Sequence, residues 1–183
     1  MIKRSLRKIS LLLILVSILY FCYDFYKQID IKNKQNQEIN LFFKQYNNNG
    51  NQITKENSDY LMILEIPKIN LKQGIHNFKH KNNNIDVSVT ILNESVLLTE
   101  DNSVLFLAAH SGNSNYSYFK NLNKLELNDE VIIYYNEKKY TYHINSIYTM
   151  SKEKDFFIKN NSKSKLFLIT CLDDYNYLIL EGI

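Results

Sequence analysis

Two residues able to perform nucleophilic chemistry stand at the ends of apolar segments in this sequence. His110 directly follows VLFLAA and opens the polar turn HSGNSN, and Cys171 ends the segment LFLITC before the acidic turn LDDYN. A thiolate is a competent nucleophile, and a neighbouring imidazolium lowers the pKa of a thiol below its free value of about 8.5. The pattern favours a Cys–His pair as a hypothesis. The alternative is that Cys171 is an inert, buried apolar side chain.

The other histidines and the second cysteine are weaker candidates for chemistry. We expect His143, inside an alternating strand pattern, to lie on a strand face, and His76 and His80, in a loop rich in Asn and Lys, to be solvated. Cys22 falls in an apolar N-terminal segment, so we expect Cys171 to be a free thiol. The sequence contains no CxxC or HExxH motif, and we predict no metal site and no cofactor.

The net charge of +3 is concentrated at the N-terminus. Lys3, Arg4, Arg7 and Lys8 are four of the 22 basic side chains, so the remaining 18 face 19 acidic ones. A protein that binds nucleic acid needs a concentrated basic surface for phosphates. We therefore expect no nucleic-acid partner.

An apolar segment follows the basic cluster. Residues 9–23 (ISLLLILVSILYFCY) carry no charge, and with flanking residues as far as Tyr26 a helix reaches roughly 30 Å, the thickness of a hydrocarbon core. A cleaved signal peptide needs small residues at its cleavage site, which YFCYDFY lacks, and a core helix needs polar residues at helical spacing. We predict that residues 9–26 are an uncleaved, single-pass anchor in the cell membrane, with residues 1–8 cytoplasmic and the rest extracellular.

The sequence beyond the anchor divides into a polar stalk, residues 27–58, and a domain, residues 59–183. Eight short, evenly spaced segments predict a mainly β domain, a closed or nearly closed eight-stranded β-barrel rather than βαβ units. Short helices are predicted near Tyr116–Leu125 and Lys152–Phe157. The predicted strands are Tyr60–Ile66, Ile69–Ile75, Val87–Leu92, Val104–Ala109, Glu130–Tyr135, Lys139–Tyr148, Leu166–Cys171 and Tyr177–Glu181.

Three segments of this domain resemble sortases, the membrane-anchored cysteine transpeptidases of Gram-positive bacteria. LEIPKINLKQGI (64–75) is similar to the opening strand and Ile-Pro-Lys-Ile segment of the family. VLFLAAHSGNSNYSYFKNLNKLELNDEV (104–131) is similar to its histidine block, and LFLITC (166–171) to its TLxTC block, with Phe167 in place of the first Thr. The segments occur in the family's order behind an N-terminal apolar segment, and the resemblance covers about 125 residues.

The resemblance implies a sortase-type β-barrel and a specific reaction. Sortases cleave an LPxTG-like sorting signal after Thr through a cysteine thioester, and pass the acyl group to an amine such as a peptidoglycan precursor or a pilin lysine. By this resemblance Cys171 is the nucleophile and His110 the acid/base group. Ala109, Ile169 and Thr170 belong to the substrate-binding surface. The implied partners are surface proteins that carry sorting signals, the amine acceptor and the membrane.

The sequence departs from the family at the arginine of the last strand, which donates to the substrate and the oxyanion. The only arginines here are Arg4 and Arg7. Aligning YLILEG with the family's last strand puts Tyr177 in that place, with Asn176 beside it, and both are neutral donors. Loss of one oxyanion donor costs about 10²–10³ in rate in other enzymes. The departure therefore predicts reduced activity.

Three functions stay open on the sequence alone. The first is an active sortase, the second a non-catalytic relative that binds sorting signals, and the third a thiol hydrolase that releases its product to water. Thiol reactivity separates the second from the other two, and an added amine nucleophile separates the first from the third.

Overall fold

A computed structural model describes residues 2–47, 58–98, 103–154 and 164–183. The chain forms two compact units, Met1–Gln37 and Glu38–Ile183. The first unit is part of one long helix, α1 (Ile2–Asn47). Between residues 9 and 26 the large apolar side chains of α1 are exposed, and α1 is long and apolar enough to cross a membrane. The helix is therefore consistent with the predicted membrane anchor.

The described part of the second unit contains eight strands joined in one sheet. The strands are β1 (Tyr60–Ile66), β2 (Leu71–His76), β3 (Thr90–Ile91), β4 (Val104–Ala108), β5 (Glu130–Tyr135), β6 (Lys138–Ser151), β7 (Lys165–Cys171) and β8 (Asn176–Gly182). Their order is β2-β1-β5-β6-β8-β7-β4-β3, with β4 and β7 parallel and every other neighbouring pair antiparallel. This arrangement confirms the predicted mainly β, nearly closed eight-stranded barrel.

Two strands differ from their predicted limits for local physical reasons. A 3-10 turn, Pro67–Ile69, precedes β2, because Pro67 has no N–H to donate to a strand ladder and Asn70 adopts a left-handed conformation with φ 51°. The third strand pairs only at Thr90–Ile91, because the N–H groups of Val87 and Ser88 donate to the Asn84 carbonyl in a turn.

The predicted helix near Tyr116–Leu125 was wrong in extent. Its residues form turns and a single 3-10 turn, Leu122–Lys124. The Phe119 N–H donates to the carbonyl of His110 at 3.0 Å, which ties this loop to the end of β4. The second predicted helix begins in a turn at residues 152–154, and its remaining residues lie outside the described part of the chain.

The last turns of α1 belong to the second unit, within the region predicted as a polar stalk. Ile39 and Phe42 are buried against Ile63 of β1, and the Phe43 ring lies edge-on to Tyr134 of β5, with ring centroids 4.9 Å apart. Apolar residues every three or four positions give this end of the helix one face to bury.

Strands β4, β7 and β8 are apolar on both faces. The inner face, which points into the barrel core, carries Leu105, Leu107, Leu166, Leu168, Leu178 and Leu180. The outer face carries Phe106, Ala108, Phe167, Ile169, Ile179 and Tyr177, which form a second apolar cluster. Burial on both faces explains why these strands read as nearly continuous apolar runs rather than alternating ones.

Candidate active site

The parallel pairing of β4 and β7 brings the ends of these strands together. The strand register aligns Ala108 with Ile169, and the Ala109 N–H donates to the Ile169 carbonyl at 3.2 Å. His110 lies two residues after Ala108, and Cys171 lies two residues after Ile169. Neighbouring strands lie about 4.8 Å apart, so these two residues are side by side at one rim of the barrel.

Two hydroxyl groups hold the strand ends in this register. Thr170 Oγ1 donates to the Ala109 carbonyl at 2.7 Å, and Ser111 Oγ donates to the Cys171 carbonyl at 2.5 Å. Thr170 is buried, so its hydroxyl needs such a partner. The threonine before the cysteine thus contributes a cross-strand bond that fixes the position of the thiol-bearing residue.

His110 has a carboxylate partner that the sequence did not indicate. Its Nε2 atom lies 3.3 Å from Oδ1 of Asp86, and the two side chains are 40% and 74% exposed. Asp86 is held in a turn by a bond from its own N–H to Asn84 Oδ1 at 2.9 Å. The carboxylate is therefore placed to orient the imidazole.

The two candidates for the missing arginine's place have different environments. Tyr177 pairs directly with Cys171 across β7 and β8. Asn176 instead donates from Nδ2 to both carboxylate oxygens of Asp173 at 3.1 Å. This side-chain bond, with backbone donors from Tyr175 and Asn176, lowers the pKa of Asp173. Asn176 is thus engaged in the β7–β8 turn, and Tyr177 is the one that faces the site.

A cavity of about 520 Å³ opens on the outer face beside Cys171. Its volume lies in the usual range for ligand pockets, roughly 300–1,000 Å³. Apolar side chains form most of its wall, with a few charged ones among them. The lining residues are Ile85, Leu92, Glu94, Phe106, Ala108, Ala109, Met150, Lys152, Lys154, Ile169, Thr170, Cys171 and Tyr177. The three residues expected at a substrate surface, Ala109, Ile169 and Thr170, all line it.

The expectation that His76 is solvated was wrong. His76 ends β2 and is 7% exposed, with Nδ1 3.2 Å from the Asp59 carbonyl and its ring stacked on His80, centroids 4.3 Å apart. Burial lowers the pKa of His76. His143 is exposed on β6, as predicted. Within the described ranges, no group of three His, Cys, Asp or Glu side chains is placed to hold a metal ion.

Asp86 and Lys152 are the site residues that the sequence did not reveal. Asp86 lies in an Asn-rich loop 24 residues before His110, and nothing in that loop's composition singles it out. Lys152 reaches the cavity because β6 pairs with β8, a neighbour that is distant in sequence. Only the pairing of distant strands could have indicated it.

Comparison with known protein families identifies one family that matches most of the β domain. The model of the Sortase domain matches residues 64–180, which is more than half of the chain and extends from the end of β1 through most of β8. The matched region contains both His110 and Cys171. No curated protein has a significant match to the sequence.

Solved structures with the same fold include several sortases. Sortase C1 from Streptococcus agalactiae is 21% identical with a TM-score of 0.59, and the match covers 76% of this chain and 74% of that one. Sortase C-1 from Actinomyces oris is 22% identical with a TM-score of 0.60, covering 68% and 73%. A lid mutant of sortase A from Corynebacterium diphtheriae is 20% identical with a TM-score of 0.60, covering 67% and 68%. At these identities the likeness establishes the fold.

Proposed function

Because this chain belongs to the sortase family, we propose that it is a cysteine transpeptidase that cleaves an LPxTG-like sorting signal and transfers the acyl group to an amine. The observation that carries the proposal is the pairing of β4 with β7, which sets His110 beside Cys171 at the rim of an apolar cavity. A base next to a thiol, both beside a pocket for a peptide, is the arrangement that acyl transfer needs.

The first half of the reaction forms a thioester. The Cys171 thiolate attacks the carbonyl carbon after Thr of the signal, a C–S bond forms, and the carbonyl electron pair moves to oxygen. The C=O bond then re-forms, the C–N bond breaks, and the His110 imidazolium gives its proton to the leaving amine.

The second half transfers the acyl group. The acceptor amine attacks the thioester carbonyl carbon and gives a proton to the neutral His110 imidazole. The C–S bond breaks, and its electron pair returns to sulfur, which restores the Cys171 thiolate and the His110 imidazolium. The acceptor is an amine of the cell wall or of a pilin, and water in its place gives the hydrolase alternative.

The apolar cavity supports a peptide substrate with apolar side chains. Ile169 and Ala109 line it next to Cys171, as expected for the apolar first residues of a sorting signal. Tyr177, across the ladder from Cys171, offers its hydroxyl as a neutral donor to a substrate carbonyl. A neutral donor stabilises an oxyanion less than a charged fork does, so we expect modest turnover.

The helix α1 supports a place at the membrane. We propose that it anchors the protein with the N-terminal basic cluster in the cytoplasm and the β-barrel outside, where surface proteins with sorting signals and their acceptors meet. N-terminal sequencing of the protein from cells tests the anchor. A mature N-terminus between residues 20 and 40 would show that the segment is removed.

The function is tested with a fluorogenic LPxTG peptide and a small amine such as triglycine. We expect amine-dependent formation of the ligated peptide by the wild-type protein and none by Cys171→Ala. His110→Ala should fall to a similar level, because nucleophile and base act as a unit. Cleavage that ignores the amine and yields only free acid would favour the hydrolase. Peptide binding without cleavage would favour the non-catalytic relative.

A further inference from the structure

Lys152 occupies a defined place in the site. It follows β6, and its N–H donates to the Tyr175 carbonyl at 2.9 Å, so the pairing of β6 with β8 fixes its backbone beside the start of β8. Its Nζ lies 5.4 Å from the centroid of the Tyr177 ring. Lys152, Tyr177 and Cys171 all line the same cavity. An ammonium group therefore stands next to the residue that pairs with the nucleophile.

The charge of Lys152 is available to a ligand. Among the described residues, no carboxylate lies within ion-pair distance of its Nζ. The nearby Asp173 carboxylate, on which the Lys152 charge also acts, already accepts bonds from the Asn176 side chain and from two backbone N–H groups. The other charged residues that line the cavity are Lys154 and Glu94, which leaves the wall with one net positive charge.

We propose that Lys152 is a catalytic residue that supplies the positive charge to the scissile carbonyl in this site, an inference that rests on the proposed transpeptidase function. Its ammonium donates to the carbonyl oxygen of the substrate and stabilises the oxyanion that forms when the Cys171 thiolate attacks. The face of the Tyr177 ring holds the ammonium by a cation–π contact, which limits the freedom of a flexible lysine side chain.

This arrangement divides the work of one charged, forked donor between two side chains on neighbouring strands. Lys152 brings the charge from the end of β6, and Tyr177 brings a surface that positions it from the start of β8. A charge that acts on the developing oxyanion accelerates the chemical step, so its loss should lower kcat more than it raises KM.

Steady-state kinetics with the fluorogenic peptide test the role in catalysis. We expect Lys152→Met to lower kcat by about 10²-fold, the usual cost of losing an oxyanion donor, with a smaller change in KM. Lys152→Arg, which keeps the charge, should retain most of the activity. Lys139→Met is the matched control, because Lys139 is an exposed lysine of β6, the strand that Lys152 follows, and it does not line the cavity. It should behave as wild type.

A second measurement reports the charge without turnover. Cys171 is alkylated with iodoacetate, an anion, and with neutral iodoacetamide, and the ratio of the two rates is compared among variants. A nearby ammonium attracts the anionic reagent, so we expect Lys152→Met to lower the ratio about fivefold, and Lys152→Arg and Lys139→Met to leave it unchanged. Lys152→Gln provides a second neutral variant if the Met protein folds poorly.

The outcomes separate the two proposals. Wild-type kcat in both neutral variants overturns the catalytic role of Lys152, whatever the alkylation ratio. An unchanged ratio in both neutral variants overturns the position of the charge beside the thiol. A third outcome is that Lys152→Met lowers the alkylation ratio as expected but the wild-type protein turns over no peptide. That result overturns the transpeptidase function and the catalytic role of Lys152, while the position of the charge beside the thiol stands.

Discussion

The inner and outer faces of β4, β7 and β8 have similar sequences but different surroundings. On the inner face, Leu107 and Leu168 are fully buried in the barrel core. On the outer face, Ala108 and Ile169 are also mostly buried, yet both line an open cavity beside Cys171. The same continuous apolar run therefore builds a packed core on one side and the wall of a candidate binding site on the other.

The difference separates the apolar side chains that stabilise the fold from those that border a ligand site. Inner-face side chains are surrounded by protein, so their loss leaves a cavity that the surroundings fill only in part. Outer-face side chains border space that a ligand or water can occupy, so their loss costs less stability and more recognition. Single substitutions on the two faces and at the rim between them test this difference.

The largest expected effect is at the rim. Cys171→Ala should abolish transpeptidation while the unfolding temperature stays within a few degrees of wild type, because the side chain is partly exposed and adds little to the core. The two measurements are product formation and thermal unfolding followed by circular dichroism. Wild-type product formation by this variant would contradict the assignment of the nucleophile.

The next effect separates the two faces directly. Leu168→Ala should lower the free energy of unfolding by about 2–5 kcal/mol and leave the KM of the folded protein for the peptide unchanged. Ile169→Ala, one residue further along β7, should cost less stability and raise KM for the peptide severalfold. Urea unfolding and peptide kinetics on both proteins provide the measurements. Equal stability losses with equal KM values would erase the distinction between the faces.

A smaller effect is expected at the partner of His110. Asp86→Asn removes the carboxylate charge 3.3 Å from Nε2 but keeps the size of the side chain. Since exposed ion pairs contribute modestly, we expect kcat/KM to fall about tenfold or less, with no change in unfolding temperature. Asp174→Asn, an acidic loop residue outside the cavity lining, is the control. An Asp86→Asn protein as active as the control would remove Asp86 from the site.

The smallest expected effect is at Tyr177. Tyr177→Phe keeps the ring that lies under Lys152 and removes the hydroxyl, so we expect only a severalfold loss of kcat. Tyr177→Arg removes the ring contact with Lys152 but places a forked, charged donor opposite Cys171, so we expect it to preserve or raise activity. Asn176→Arg, which disrupts the bond to Asp173, serves as the comparison. Unchanged activity in Tyr177→Phe with losses in both Arg variants would show that neither position donates to the oxyanion.

Local patterns in the sequence were sufficient to predict the eight strands but not their partners. Apolar alternation placed β6, and unbroken apolar runs placed β4 and β7, because these patterns record which faces are buried. Strand order depends on contacts between distant segments, so the pairing of β6 with β8 had no local signal. For the same reason β6 continues to Ser151, beyond its predicted end at Tyr148, whereas β3 is shorter than predicted because of the turn at Asn84.

The candidate site was predictable to the same extent. His110 and Cys171 stood out because each ends an apolar strand, and their adjacency follows from the pairing of those strands. Asp86 and Lys152 lie in turns, where composition carries little positional information. His76 was misjudged because the segment that follows it is rich in Asn and Lys, whereas its neighbours in space, Tyr60 and His80, are rings that cover it.

The parallel pairing of β4 with β7 also determines when the candidate site can form during translation. A ribosome makes β4 first and β7 roughly 60 residues later, which at usual elongation rates takes about 3–12 s. During that interval one edge of β4 has no partner, and an unpaired apolar strand is prone to aggregate unless a chaperone shields it. His110 is synthesised at the start of this interval and Cys171 at its end. The proposed pair of His110 and Cys171 can therefore form only after the last-made strands have closed the sheet.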